Sequence, residues 1–170
     1  MKKYEFTGET ISFWGMTLKR IRAVRDFGIV KKGDLGGFIE EEDSLSHDGY
    51  AWVGDNALVY GNAKVCDNAE VCGNVELYGN AEVHGNAKVY GNAEVHGDAK
   101  VYDDAWVYGD AEVYDNVEIY GNAWVYENAK LCGHAEVKGN VRVYGYAEIN
   151  GSVRIYGNVR ISDNTRICDT

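Results

Sequence analysis

The chain has 170 residues, of which 27 are acidic and 17 basic, so its formal net charge is −10 at pH 7. Such a charge argues against wholesale attraction to nucleic-acid backbone or to an anionic membrane surface. The length suits one elongated domain, because a short repeat occupies nearly all of it and leaves no room for a separate catalytic domain.

The N-terminal segment differs from the rest of the chain and predicts a cap. Residues 4–6 and 18–24, separated by Gly8 and Gly15, favour a β-hairpin, and residues 34–39 favour the start of a first coil. A solenoid exposes unpaired backbone at its ends, and caps prevent end-to-end association. We therefore expect the hairpin to cover the first coil.

A six-residue pattern without insertions begins at Ala51. Val, Leu or Ile occupies every sixth position in an unbroken series of 20 from Val53 to Ile167, and a small residue, usually Ala, lies two positions earlier. This period is too short for helical repeats and matches the hexapeptide parallel β-helix. We expect a β cap and first coil over residues 1–50 and the repeat domain over residues 51–170.

Each hexad contains a short strand and a corner. The small residue and the aliphatic alternate with a polar residue, so both point inward. Gly-Asn, Gly-Asp or Asp-Asn pairs tolerate the left-handed backbone region and mark the corners. Three hexads make one coil of 18 residues. The predicted fold is an all-β, single-stranded parallel β-helix with a dry interior, so function must lie on its outside. Corner asparagines are expected to form structural ladders: Asn62, Asn68, Asn74, Asn80, Asn86 and Asn92.

One face of the predicted coil is rich in aromatic residues. Trp106 and Trp124 lie one coil apart there, and Arg142 and Arg160 follow them. The candidate contact residues are Trp106, Trp124, Tyr90, Tyr108, Tyr126, Tyr144 and Arg142. Aromatic patches dominate binding energy at interfaces. Four interpretations stay open: structural stacking, self-association, a foreign protein partner, or a nucleotide whose phosphate meets the two arginines.

No catalytic residue is predicted with a clear role. His84 and His96 follow inward aliphatics and His134 replaces a corner asparagine, so the three lie on different faces or corners. We expect no histidine pair and no histidine–carboxylate dyad among them. His84 and His96 are the only candidates for a general base.

The cysteines indicate neither a metal site nor a disulfide framework. Cys66, Cys72, Cys132 and Cys168 all occupy the position after the inward aliphatic and form no C-x-x-C motif. They are interpreted as replacements for tyrosine at outward positions. No metal and no cofactor is expected.

The ends of the chain predict its compartment and assembly. No apolar stretch approaches the length of a membrane span, and the N-terminus lacks a signal-peptide core, which favours the cytoplasm and no membrane contact. The hexads continue to Ile161 and Ile167 without a cap, which predicts an open edge there. A homo-oligomer, dimer or trimer, is expected from pairing at this edge or on the aromatic face.

Two sets of residues resemble known families. The hexads resemble the left-handed β-helix of the hexapeptide-repeat acyltransferase superfamily, although glycine here comes two residues after the aliphatic instead of one. The N-terminal segment is similar to the cap of the YdcK-like family. That similarity spans roughly residues 18–60 and rests on residues 22–27, Gly33, residues 36–39, Leu45, Ser46, Gly49, Trp52 and Val53.

The resemblance implies a left-handed helix, and short tyrosine-rich members look like proteins of phages and prophages. The favoured hypothesis is a non-catalytic interaction protein that binds a macromolecule. One example is a phage-encoded inhibitor of host defence, whose carboxylates would mimic nucleic acid and occupy a basic nucleic-acid groove by charge complementarity. Residues 33–140 hold five basic against 21 acidic residues, which suits that hypothesis. The alternatives are an acyltransferase, as the superfamily implies, and a nucleotide-sequestering sponge. Fold by itself does not decide among them.

Overall fold

The computed structural model describes residues 1–169, which form β-strands, turns and one 3-10 helix at Glu42–Ser44, with no α-helix in that part of the chain. Three longer strands come first: β1 (Tyr4–Phe13), β2 (Met16–Ala23) and β3 (Leu35–Ile39). The repeat strands are β4 (Trp52–Val53), β5 (Leu58–Val59), β6 (Lys64–Val65), β7 (Glu70–Val71), β8 (Glu76–Leu77), β9 (Glu82–Val83), β10 (Lys88–Val89), β11 (Glu94–Val95), β12 (Lys100–Val101), β13 (Trp106–Val107), β14 (Glu112–Val113), β15 (Glu118–Gly121), β16 (Trp124–Val125), β17 (Lys130–Leu131), β18 (Glu136–Gly139), β19 (Arg142–Val143), β20 (Glu148–Asn150), β21 (Arg154–Gly157), β22 (Arg160–Ile161) and β23 (Arg166–Cys168).

Each repeat strand pairs in parallel with the strand 18 residues further along, so the hexads form three faces. The tryptophan face is the seven-stranded sheet of β4, β7, β10, β13, β16, β19 and β22. The hairpin face is the ten-stranded sheet of β1, β2, β3, β5, β8, β11, β14, β17, β20 and β23, and the third face is the six-stranded sheet of β6, β9, β12, β15, β18 and β21. The predicted parallel β-helix is confirmed, with about seven coils of about 18 residues each.

The interior is filled by the two inward residues of each hexad. Ala93 and Val95, for example, have no exposed surface, and nearly all their equivalents from Ala51 to Ile149 are equally buried. Burial of one valine side chain stabilises a fold by about 1.5–3 kcal/mol. The aliphatic stack therefore holds the coils together, and ligands or partners reach the outward side chains only.

Corners are made by residues with positive φ. Gly91 has φ 77°, and a Cβ there would lie 2.9 Å from backbone atoms of Gly109 in the next coil. Asp or Glu takes this position at other corners. Asp103 has φ 59°, and its carboxylate accepts a hydrogen bond of 3.2 Å from the amide of Gly121. A carboxylate thus secures the corner where glycine is absent.

The asparagine ladders predicted from the sequence are confirmed. Asn62 donates to Asn80 at 2.9 Å, and Asn80 donates to Asp98 at 2.7 Å. Equivalent hydrogen bonds join the members of the other two ladders, which contain Asn68, Asn74, Asn86 and Asn92. These asparagines have a structural role, as expected.

The N-terminal hairpin is confirmed, but its strands are longer than predicted. β1 and β2 are antiparallel and join at Trp14 and Gly15. Gly8 lies inside β1 with φ 90°, where the register shifts between Phe6 and Thr10. A β-bulge accommodates an extra residue at such a shift. For this reason Gly8 bends the strand without ending it.

The N-terminal segment contacts the repeat strands on all three faces. β2 pairs antiparallel with β3, which in turn pairs in parallel with β5 on the hairpin face. On the third face Leu45 forms a β-bridge to Val65. On the tryptophan face Phe27 packs edge-on against Trp52 at 5.5 Å between ring centroids. The first coil thus begins with β3, and the domain boundary at residue 50 stays a prediction.

Candidate functional site

Seven strands bring the predicted contact residues into two columns on the tryptophan face. Each strand presents one outward residue before its inward aliphatic and another after it. The first column contains Trp52, Glu70, Lys88, Trp106, Trp124, Arg142 and Arg160. The second contains Gly54, Cys72, Tyr90, Tyr108, Tyr126, Tyr144 and Ser162. Neighbours in a column are one coil apart, roughly 4.8 Å. The arrangement of both columns was predictable from the period.

The centre of the first column is a stack of four side chains. Trp106 and Trp124 stack with 5.5 Å between ring centroids and an interplanar angle of 23°. The Lys88 ammonium lies 5.3 Å from the centroid of Trp106, and the Arg142 guanidinium lies 4.8 Å from the centroid of Trp124. Both faces of each indole are therefore covered. A nucleic-acid base therefore has no free indole face on which to stack, and only the indole edges are open to a partner.

The second column contains a stack of three tyrosines. Tyr108 and Tyr126 lie 4.9 Å apart and Tyr126 and Tyr144 lie 5.0 Å apart, with rings nearly parallel. Desolvation raises the pKa of Tyr108 and of Tyr126 above the usual value. A tyrosine hydroxyl is protonated at neutral pH even with its usual pKa, so both hydroxyls can donate hydrogen bonds to a partner.

Tyr90 departs from the predicted row of tyrosines. Its hydroxyl donates a short hydrogen bond to the Glu70 carboxylate, and its ring is tilted by 47° against Trp106 at 6.2 Å. Burial, together with the adjacent Glu70 carboxylate, raises its pKa. Tyr90 thus belongs to the aromatic patch through its tilted contact with Trp106, but it is not part of the tyrosine stack.

An apolar pocket of about 310 Å³ lies at the cap end of the tryptophan face. Ile29 and Val30 of a cap turn, Tyr50 and the half-buried Cys72 contribute to its walls. Ile29 is 81% exposed and Tyr50 is 58% exposed. Burial raises the pKa of the Cys72 thiol to about 11, so the thiol is not a nucleophile at neutral pH. Sequence reasoning missed this pocket, because its cap side comes from an irregular turn.

The two candidate bases are embedded in aromatic stacks on different faces. His96 lies on the hairpin face between Tyr78 and Tyr114, with centroid distances of 4.5 and 5.1 Å. Desolvation lowers its pKa below the usual value. His84 lies on the third face, stacked on Tyr102 at 4.9 Å. The structure brings neither histidine to the tryptophan face.

Two histidines, His84 and His47, lie near a carboxylate. The Nδ1 of His84 is 3.9 Å from the exposed Asp67 carboxylate, which is too far for a hydrogen bond. A hydrogen-bonded dyad exists instead in the cap, where His47 Nε2 lies 3.0 Å from Glu42. The His47 ring is also stacked on Tyr4 at 4.3 Å. The hexad pattern contained no signal for this dyad, because both residues precede the repeat.

The cap also contains the most exposed tryptophan. Trp14 forms the tip of the hairpin and is 85% exposed. Its position in a turn with positive φ was not apparent from the sequence, which has no asparagine or aspartate beside Gly15. Trp14 contributes to a separate shallow groove near Tyr60 and Tyr78 on the hairpin face.

The remaining predicted residues lie in the last described coil or at outward positions. Ile161 is buried and Ile167 is half-buried, and their role as an oligomer edge stays a prediction. The four cysteines are free, and no cluster of potential metal ligands is found within residues 1–169. In the same range, no helix has the length and apolar character needed to span a bilayer.

Comparison with known proteins supports the repeat type. A family model described as YdcK beta solenoid repeat matches residues 153–169, which contain β21, β22 and β23. The match is confined to the last described coil and does not include the cap segment, on which much of the resemblance rested. No curated protein matches the chain. The stacked parallel coils agree with a β-solenoid repeat.

Proposed function

We propose that this YdcK-like β-solenoid repeat protein is a non-catalytic scaffold whose tryptophan face binds a protein partner. The observation that supports it best is the half-buried Trp106–Trp124 stack, set beside the stacked tyrosines on an outer face. Tryptophan, tyrosine and arginine are the residues that contribute most at protein interfaces. This face combines all three.

The geometry favours a protein surface over a stacked base as the occupant. Lys88 and Arg142 cover the outer faces of the two indoles, so only indole edges, tyrosine hydroxyls and cationic groups are available for contact. Rigid stacked rings also lose little side-chain entropy on binding, which favours affinity. The exposed Ile29 and Tyr50 extend the apolar surface towards the cap.

The charge of the chain supports a partner with a basic surface. A net charge of −10 favours encounter with a positively charged protein and disfavours nucleic acid. The nucleic-acid groove of a host defence complex has that charge, and a phage-encoded inhibitor that occupies such a groove is the specific form of this proposal. The carboxylates of the hairpin face and the third face would then guide association, and the indole edges and tyrosine rings of the tryptophan face would supply the anchor.

The test uses a double variant, Trp106→Ala with Trp124→Ala, and the control Trp14→Ala. All three side chains are tryptophans, but Trp14 lies on the hairpin tip, away from the tryptophan face. Partners captured from cell lysate are identified by mass spectrometry, purified and titrated by calorimetry. We expect the double variant to lose at least about 100-fold in affinity and the control to bind as the wild type does.

Two outcomes would count against the proposal. Equal affinity of the wild type and the double variant would remove the tryptophan face as the contact surface. A dimer or trimer of the wild type that becomes a monomer in the double variant, measured by light scattering, would replace the foreign partner by a second copy of this chain.

The acyltransferase alternative has a separate test. It requires a base at His84 or His96, and both rings are engaged in stacking on tyrosines. Titration with acetyl-CoA would show binding under that hypothesis, and its loss in His96→Phe would assign the site. Absence of binding at millimolar acetyl-CoA would exclude it.

A further inference from the structure

We propose that the C-terminal part of the tryptophan face contains a second, independent site that binds the diphosphate group of a small molecule. Arg142 and Arg160 supply the charge, and the corner residues Asn122, Asn140 and Asn158 supply amide donors. These residues line a groove of about 580 Å³ together with Trp124. The site needs no protein partner and therefore does not rest on the function proposed above, although Arg142 belongs to both surfaces.

The two arginines differ from the other cations of the repeat because they lie opposite each other on neighbouring strands. Arg142 and Arg160 belong to β19 and β22, and no carboxylate within residues 1–169 lies in ion-pair distance of either. Four other cations of the repeat each pair with an acid one coil earlier: Lys88–Glu70, Lys130–Glu112, Arg154–Glu136 and Arg166–Glu148. Lys100 also lacks an ion pair within residues 1–169, but its neighbours across the strands are the acids Glu82 and Glu118. Like charges directly opposite destabilise a sheet, so a bound anion would relieve the repulsion.

The asparagines beside the arginines also differ from their equivalents. Earlier in the same corner column, Asn68 donates to Asn86 and Asn86 donates to Asp104, at 3.1 and 3.0 Å. From Asn122 onward, within the described residues, the side-chain ladder stops. Asn122, Asn140 and Asn158 are exposed and contribute to the groove wall. An asparagine amide has two N–H donors, and these donors are available to a ligand.

The stacking of Arg142 on Trp124 leaves the guanidinium ready to bind an anion. Its centre lies 4.8 Å from the ring centroid, so the indole supports one face of the planar group. A stacked guanidinium retains its in-plane N–H groups for bidentate hydrogen bonds to phosphate. The indole therefore restricts the arginine without consuming its donors.

The dimensions of the cationic stretch favour a short anion. Two guanidinium groups one coil apart, roughly 4.8 Å, match two linked phosphoryl groups. A polyanion running along the rod would next meet Asp104, one coil before Asn122 in the same column. That carboxylate repels a continuous nucleic-acid backbone but lies outside the reach of a diphosphate. The chemical class is thus a small diphosphate, such as inorganic pyrophosphate or a nucleoside diphosphate.

Calorimetric titration of the full chain with inorganic pyrophosphate at low salt tests the site. Arg142→Gln and Arg160→Gln should each weaken binding by about 10-fold or more, as expected for loss of a charge-assisted bidentate contact. Arg154→Gln is the matched control, because it removes the same charge from β21 on the third face, where Arg154 already pairs with Glu136. We expect the control to stay within about twofold of the wild type.

Additional variants and ligands test which class of anion binds, and a folding control excludes misfolding. Asn140→Asp should abolish binding, since it places a carboxylate in the groove beside Arg142 and Arg160. Far-ultraviolet circular dichroism would verify that each variant is folded. ADP binding that is equal to or tighter than pyrophosphate binding supports a nucleoside diphosphate. Absence of pyrophosphate binding, orthophosphate binding of equal strength, or an equal loss in Arg154→Gln would overturn the proposal.

Discussion

Replacement of the buried Lys3 by methionine should stabilise the protein at neutral pH and reduce its dependence on pH. Lys3 has no exposed surface. Its ammonium donates to the Asp48 carbonyl at 3.3 Å and lies 5.3 Å from the centroid of Phe27. Burial, with a smaller contribution from Arg25, lowers the pKa of Lys3 from 10.5 to about 8.

The sign follows from proton linkage. Between pH 8 and 10.5 the unfolded chain holds the Lys3 proton more tightly than the folded chain does, so unfolding becomes harder as pH rises through this window. The penalty is fully present below pH 8, where it amounts to about 3 kcal/mol at 1.36 kcal/mol per pKa unit. At pH 9.5 it has fallen to about 1.5 kcal/mol.

Urea unfolding at pH 7 and at pH 9.5 measures this effect. Lys3→Met forfeits the hydrogen bond and the ring contact, about 1 kcal/mol together, so we expect a net gain of about 2 kcal/mol at pH 7. The gain should nearly vanish at pH 9.5. Lys2→Met is the control, because Lys2 is exposed and only paired with Glu42. A Lys3→Met gain that is the same at both pH values would refute the reasoning.

Two further predictions concern the repeat. Gly91→Ala should lower the free energy of unfolding by about 1–3 kcal/mol more than Gly157→Ala. Both glycines have positive φ, but a Cβ at Gly91 would clash with the backbone of Gly109, whereas a Cβ at Gly157 would have no neighbour within 4 Å. Thermal unfolding of both variants measures the difference, and equal losses would show that φ strain alone decides. Because desolvation lowers the pKa of His96, stability should fall as pH drops from neutral through the histidine range. His96→Tyr should flatten that decline in thermal unfolding, and an unchanged pH profile would contradict it.

Much of the candidate site could be predicted from the spacing of residues. The hexad contains no insertion, so residues 18 apart must lie side by side once the coils stack. Trp106 and Trp124 are paired for this reason, and Arg142 follows in the same column. In a β-helix without insertions, the residue number therefore determines the face and the coil on which an outward residue lies.

The directions of outward side chains could not be predicted in the same way. Tyr90 occupies the same position as Tyr108 but turns towards Glu70, because a carboxylate there accepts its hydroxyl. The asparagine ladder is a similar case. Asparagine still occupies this corner position at Asn122, Asn140 and Asn158, but the side-chain hydrogen bonds between coils stop there. Such choices depend on which neighbours compete for a donor across coils.

The cap was the least predictable part, since it has no period. Lys3 is buried and donates a hydrogen bond to a residue 45 positions further along the chain, and the His47–Glu42 dyad forms within an irregular segment of the cap. Nothing in the local sequence distinguishes Lys3 from its exposed neighbour Lys2.

The amino-acid sequence by itself determined the parallel β-helix, its three faces, its buried aliphatic stack and the row of aromatic residues on one face. A strict period of six sets these features, because identical hexads can bury their aliphatics together only by stacking in register. Only the tertiary structure decided that the indoles are covered by Lys88 and Arg142, and that Arg142 and Arg160 are left without a carboxylate. Stacking, hydrogen bonding and ion pairing between coils are short-range, so they depend on rotamers that the period leaves free.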